Sequence, residues 1–258
     1  MESFLLGVLF WVPLWLALAC DAFIPTDTFH SIWWHTVLAR SLSALPFLSM
    51  MIEHRINFFR PTEKLSLRRP WLAPAITVAA FLVACNNLPI IPLLTGQAQV
   101  TAPLPDVLLF ALGCLAVGLF EETAFRGFAL PLALEVLKPT RKGRFLAVLI
   151  SSVLFGCLHF LNLFSGAGIG PTLLQVGYSF LLGGLLGALV LATGRLLPAI
   201  LCHTVYNFCG RLVPTCGTGE IWDAPTVVIT VVLSLAAAAV TLLVLFDEGR
   251  EEAAESSW

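Results

Sequence analysis

The sequence predicts an all-α protein, a polytopic transmembrane helix bundle of about eight spans. Three observations carry that prediction. Hydrophobic residues make up 58% of the 258 positions and charged residues only 12%. Mean hydropathy is +0.91, outside the range of water-soluble domains. Apolar stretches long enough to cross hydrocarbon as helix, about 17–25 residues each, recur from Phe4 to Phe246 with no long polar domain between them.

The spans fall at about 3–21, 32–53, 70–94, 105–130, 145–164, 172–192, 196–213 and 226–246. The first is read as a retained helix, because Met1-Glu2-Ser3 lacks the positive region of a signal peptide. Basic residues set the orientation. Arg55, Arg60, Lys64, Arg68 and Arg69 separate spans two and three. Lys138, Arg141, Lys142 and Arg144 separate four and five, Arg195 separates six and seven, and Arg250 follows eight. With eight spans and both termini cytoplasmic, all eleven face the cytoplasm. The opposite loops, including 21–31 and 214–225, hold no Lys or Arg. The localisation that follows is a multi-pass cell-membrane protein.

Several function classes drop out at this stage. A net charge of −2 gives no basic field for nucleic acid. The seven cysteines contain no CxxC pair and read as small packing residues. Gly183 and Gly187 have the GxxxG spacing of close helix contacts in lipid. The run Gly166-Ala167-Gly168-Ile169-Gly170 follows no strand and is not a nucleotide loop.

Chemistry is concentrated in polar residues that lipid should forbid. The apolar run Val107–Phe120 is too short to span unless the helix continues through Glu121-Glu122-Thr123-Ala124-Phe125-Arg126-Gly127. Two carboxylates and an arginine are then drawn into the membrane, where each charge costs from about 2.5 kcal/mol upward. Glu122 and Arg126, four apart, share a face and can neutralise one another. Glu121 lies about 100° around the helix and is left for chemistry. Span five carries Phe155 and His159 at i, i+4 with Asn162 beyond, and span seven carries His203 and Asn207 at i, i+4. Taken singly, the Glu-Arg group could anchor a helix at the headgroups, and one histidine could be a helix-to-helix hydrogen bond. Two histidines, each with an amide on its own helix, on spans flanking a Glu-Glu-Arg cluster, point to a site.

Hydrolysis is what these residue types permit. A carboxylate withdrawn from water is a plausible general base. Glu121, helped by His159, would take a proton from water and aim the hydroxyl at a carbonyl. Asn207 and His203 are donors of the kind that fill an oxyanion hole.

The motifs Glu121-Glu122-x-x-x-Arg126, Phe155-x-x-x-His159 and His203-x-x-x-Asn207, in this order, resemble the CPBP family. That family takes in CAAX prenyl endopeptidases of the second type and bacteriocin-processing or bacteriocin-immunity proteins. The resemblance runs over about 105–213. It implies a glutamate-dependent intramembrane endopeptidase, open to the cytosol, acting on a peptide or membrane-protein substrate without a cofactor. In it Glu121 and His159 activate water, His203 and Asn207 form the oxyanion site, and Glu122, Arg126, Phe155 and Asn162 support them. One departure stands out: Leu163, not asparagine, lies four residues after His159. Asn162, read on an α-helix, points about 100° away from that place, which favours the broader bacterial-type role over processing of prenylated proteins. The expected organisation is N-terminal spans over 1–100, a catalytic CPBP-like core over 101–215, and a last span with an acidic cytoplasmic tail over 216–258.

Three rivals share these residues. Glu121, His159 and His203 could supply the His₂Glu ligands of a zinc peptidase, although HExxH is missing. A transporter would gather similar residues but should show inverted repeats, and none is evident. A non-proteolytic immunity or scaffold protein is the third. Arg40, Asn86 and Asn87, polar residues within predicted spans, have no assigned role at this stage.

Overall fold

A computed structural model describes residues 28–53, 60–62, 64–137 and 140–247. The predicted first span, Arg55, Lys138, Arg250 and the acidic tail lie outside the described residues. Among the described residues the regular structure is helical except for one small two-stranded sheet. Helices α1 (Phe29–Glu53), α2 (Leu72–Asn86) and α3 (Ile90–Thr95) precede strand β1 (Ala98–Val100). Helix α4 (Leu104–Glu122) runs through a π-helical segment (Thr123–Ala129) into α5 (Leu130–Leu137). Helix α6 (Arg141–Leu158) tightens into a 3₁₀ turn (His159–Leu163), followed by α7 (Ile169–Thr193) and α8 (Leu197–Cys216). Strand β2 (Gly217–Gly219) and α9 (Ala224–Leu245) complete the order.

Five of these helical stretches are long and apolar enough to cross a membrane: Phe29–Ile52, Leu104–Leu137, Arg141–Leu163, Ile169–Thr193 and Ala224–Leu245. Each coincides with a predicted span. Helix α8, the predicted seventh span, has 20 residues but includes His203, Asn207 and Arg211, whose polarity lowers its apolar character. The predicted span 70–94 is divided, because α2 ends at Asn86 and the chain turns through Asn87-Leu88-Pro89 before α3. Pro89 has no N–H for a continued helix and biases Leu88 away from helical geometry. The start of α4 follows its sequence directly, with Pro103 extended before the helix and Pro105 in its first turn. Thr140 caps α6, its side chain accepting from the Gly143 N–H at 3.1 Å.

The chain forms two compact units. Of the described residues, the first comprises 28–50, 81–124 and 200–235, and the second 51–53, 60–62, 64–80, 125–137, 140–199 and 236–247.

In the first unit an aromatic cluster joins α1, α4 and α8. Trp33 meets Phe110 edge-on at 4.8 Å between centroids, and Phe110 stacks on Phe208 at 5.5 Å. Leu109, Cys114, Leu212 and Cys216 close the cluster. Within lipid such contacts stabilise through tight packing rather than exclusion of water. The segments predicted on the side opposite the basic loops meet beside it. β1 pairs antiparallel with β2, Ala98 opposite Gly219, and His30 Nε2 lies 3.0 Å from Asp106 Oδ1. Gly219 has φ +110°, and a Cβ there would strike the Gln97 carbonyl, so only glycine fits.

In the second unit α6 and α7 lie side by side along a seam of small residues. A Cβ on Gly183 would come 3.1 Å from Ser152 Cα, one on Gly187 3.1 Å from Val148 Cγ1, and one on Gly156 3.0 Å from the Val176 carbonyl. The GxxxG reading is thereby given its partner helix. The basic segments predicted on one side of the membrane also come together. The Arg69 backbone N–H donates to buried Asp247 Oδ2 at 3.1 Å, the Leu65 N–H donates to the Leu191 carbonyl, and Arg141 lies over Phe246 at 4.9 Å. Of the cysteines, Cys114, Cys202, Cys209 and Cys216 are buried, and the six in the described residues are free thiols.

Candidate active site

The eight residues singled out in the sequence divide evenly, with Glu121, Glu122, His203 and Asn207 in the first unit and Arg126, Phe155, His159 and Asn162 in the second.

In the first unit, α4 presents its two carboxylates in its last turn and α8 presents His203 one and a half turns from its start. Gly118 permits the approach. A Cβ there would lie 2.7 Å from Thr204 Oγ1 and 3.2 Å from the Ile200 carbonyl, so α8 rests on bare α4 backbone one turn before Glu122. His203 Nδ1 is 2.7 Å from Glu122 Oε1, and its Nε2 is 3.3 Å from Glu121 Oε2. The offset of about 100° between adjacent helical residues is what lets two neighbouring carboxylates reach opposite nitrogens of one ring. Side-chain exposure is 0% for Glu122, 3% for His203 and 13% for Glu121. Glu122 is thus the buried anchor and Glu121 the member with an accessible face. An imidazole donates to two carboxylates only when both nitrogens carry hydrogen; a neutral ring requires one carboxyl to hold the proton instead. The contacts thus run in a line from the buried Glu122 through His203 to the part-exposed Glu121.

Asn207 follows His203 by one turn on the same face of α8 and is half-buried. The setting of that turn is fixed by residues whose role the sequence left open. Asn87 Nδ2 donates to the Tyr206 carbonyl at 2.9 Å and sits against Gly210, where any Cβ would displace it. Its neighbour Asn86 donates to Thr230 Oγ1 at 2.8 Å. The two amides at the C-terminal end of α2 and in the turn after it therefore grip α9 and α8. Arg40 places its guanidinium carbon 5.7 Å from the centroid of the Phe120 ring, next to Glu121 in sequence.

The π segment begins directly after the carboxylates. Thr123 Oγ1 donates back to the Leu119 carbonyl, a bond that competes with the regular ladder. Further along, the Phe125 carbonyl accepts from Ser151 Oγ at 3.0 Å. Such local widening of a helix is frequent at functional sites.

In the second unit, His159 stands where α6 tightens. Its backbone N–H turns to the Gly156 and Cys157 carbonyls. The Phe155 carbonyl, which an α-helix would pair with that N–H, instead takes the His159 Nδ1 at 3.0 Å. A carbonyl can only accept, so Nδ1 carries hydrogen. The opposite nitrogen, Nε2, faces Ser179 Oγ on α7 at 3.5 Å. The ring itself rests edge-on against Phe155 at 5.2 Å, and the Arg126 guanidinium carbon lies 4.5 Å from the Phe155 centroid. Phe155 is thus the wall between a cation and an imidazole.

The 3₁₀ turn changes the geometry expected of Asn162. Three residues at about 2.0 Å rise complete one 3₁₀ turn, so Asn162 eclipses His159 about 6 Å further on. Four residues of α-helix at about 1.5 Å rise give nearly the same displacement. The one-residue departure from the family motif is thereby largely absorbed, and the expected 100° offset does not arise. Asn162 Nδ2 donates to Gln175 Oε1 at 2.8 Å, which ties the turn to α7.

Among the described residues no group of three or more His, Cys, Asp and Glu side chains is arranged to hold a metal ion. The residues that sequence reasoning missed are Gly118, Ser151, Gln175 and Ser179. Only Ser179 left a usable sign, because Ser179, Gly183 and Gly187 continue the small-residue spacing by one turn.

These observations define an all-α, multi-pass membrane protein with a carboxylate–imidazole–carboxylate chain inside an apolar helical unit. Residues 103–209, a stretch holding all eight of these residues, match the family model described as Rce1-like, Type II CAAX prenyl endopeptidase Rce1-like. The match bears out the resemblance to the CPBP and CAAX-protease family read from the motifs, over somewhat less than half of the chain. That family implies a membrane-embedded protease acting on peptide substrates. No curated protein matches the chain significantly.

Proposed function

We propose that the protein is an intramembrane endopeptidase that hydrolyses peptide bonds with a water activated by Glu121 and His159. The observation that carries this reading is the contact chain Glu121–His203–Glu122, with Glu122 wholly buried and Glu121 retaining an accessible face. Glu121 takes a proton as water attacks the carbonyl carbon, and returns it to the leaving amine as the C–N bond breaks. His159, with Nδ1 committed to a backbone carbonyl, supplies Nε2 as a second proton acceptor. The imidazole of His203, held from behind by Glu122, and the amide of Asn207 stabilise the oxyanion of the tetrahedral intermediate. Arg126 and Phe155 brace His159, and Asn162 donates beside it. The protein sits with both termini and the opening of the site toward the cytosol, as the distribution of basic residues supports.

The test uses purified protein in liposomes with an internally quenched peptide ending in a prenylated CAAX sequence, alongside a comparison of membrane proteomes for unprenylated substrates such as bacteriocin precursors. Glu121→Gln should lower turnover by about 10²–10⁴-fold while leaving the protein folded and inserted. Full cleavage by that variant refutes the assigned base. Activity lost to a chelator and restored by zinc would transfer the same residues to a metal mechanism.

A further inference from the structure

Ser179 belongs to no motif, yet it is the group on α7 that meets the free nitrogen of His159. It is buried, with 3% of its surface exposed. Its Oγ lies 3.5 Å from His159 Nε2, while Nδ1 of the same ring is committed to the Phe155 carbonyl at 3.0 Å. The imidazole is therefore held at both nitrogens, rigidly on one side and loosely on the other. The loose contact comes from a hydroxyl, which both donates and accepts. A neutral ring with hydrogen on Nδ1 presents a bare Nε2, and the hydroxyl donates to it. A protonated ring presents an N–H there, and the hydroxyl rotates to accept from it. A carboxylate in that place would favour only the charged ring, and a methyl group would serve neither state. The distance suits a partner that must yield to water during reaction, since such contacts are often long in the empty enzyme and tighten with substrate.

The seam between α6 and α7 explains how the hydroxyl arrives there. Ser179 lies one turn from Gly183, and the Gly156 Cα has so little clearance from Val176 and Phe180 that the helix backbones nearly touch. A bland account is available on the same facts: Ser179 is the third small residue of the stripe and its hydroxyl is incidental. Alanine separates the two, because it keeps the small volume and removes only the hydroxyl.

We infer that Ser179 is a positioning residue that keeps His159 Nε2 aimed and correctly protonated through both charge states of the ring. The inference rests on the reading that His159 assists Glu121. It is tested with full-length protein in nanodiscs, by kinetics on the quenched prenylated peptide and by nitrogen NMR of histidine-labelled protein. Ser179→Ala and Ser179→Gly should lower kcat about tenfold with KM unchanged, and Ser179→Thr should restore most of the loss. The His159 nitrogen signals should shift in the Ala variant and remain near wild type in the Thr variant. Wild-type kcat and unchanged His159 signals in Ser179→Ala, with His159→Ala inactive, overturn the inference and leave the proposed function standing. Full turnover in His159→Ala overturns the role of that histidine and the inference with it. Complete inactivity of Ser179→Ala together with covalent capture of Ser179 by a fluorophosphonate also overturns it, because the serine would then be a nucleophile.

Discussion

The two imidazoles are held in opposite ways. His203, in the first unit, lies between two carboxylate oxygens at 2.7 and 3.3 Å. His159, in the second, is held by a backbone carbonyl, a hydroxyl and an aromatic ring, none of them charged. Carboxylates stabilise a ring that carries charge, and a carbonyl with a hydroxyl fixes which nitrogen of a ring bears the hydrogen. In the proposed mechanism the first would stabilise developing negative charge and the second would move a proton. The contrast also says what each site tolerates, since a charged contact in an apolar surround loses more when a partner is removed than a neutral one does.

Removal of Glu122 is the harshest way to break that contrast. Glu122→Gln should destabilise the protein by about 1.5–3 kcal/mol, the worth of a buried hydrogen bond to a charged group, and should lower turnover as well. Thermal unfolding in detergent measures the first effect and peptide cleavage the second; unchanged melting would remove Glu122 from its anchoring role. A gentler perturbation enters through Gly118, where a methyl group would press on Thr204 and Ile200. Gly118→Ala should cost about 1–3 kcal/mol as overpacking and reduce kcat by moving His203 off the carboxylates. Retained kcat in a destabilised variant would show that the approach of α4 and α8 matters for folding alone. The smallest effect is expected on the neutral side, where Asn162→Ala removes the bond to Gln175. A loss of about 1 kcal/mol should be matched by Gln175→Ala, and the double variant should lose little more than either single one. Additive losses in that cycle would mean the two amides act independently.

Much of this was legible in the residues themselves. Charge and amide groups inside apolar runs are costly, so Glu121, Glu122, Arg126, His159, His203 and Asn207 stood out as candidates. The loop charges set a sidedness, but the ion pair of Arg69 with Asp247 was not foreseen from them. What stayed hidden depended on partners distant in sequence or on helix type. Gly118 and Ser179 look like ordinary small residues of a membrane helix until a neighbouring helix is in place. The π segment relies on Ser151 from another helix to donate to its Phe125 carbonyl. Periodicity cannot separate an α turn from a 3₁₀ turn over five residues, and the placement of Asn162 hangs on that difference. Asn86 and Asn87 were visible as anomalies, but which helices they grip is a tertiary fact.

The stretch Leu104–Leu137 is 34 residues long, about 50 Å at helical rise against some 30 Å of oil. A helical stretch of that length fits the hydrocarbon only by tilting, bending or projecting from it. The two glutamates stand near its mid-length. With about four turns of helix on either side, the carboxylates are not the cap at an end of their span.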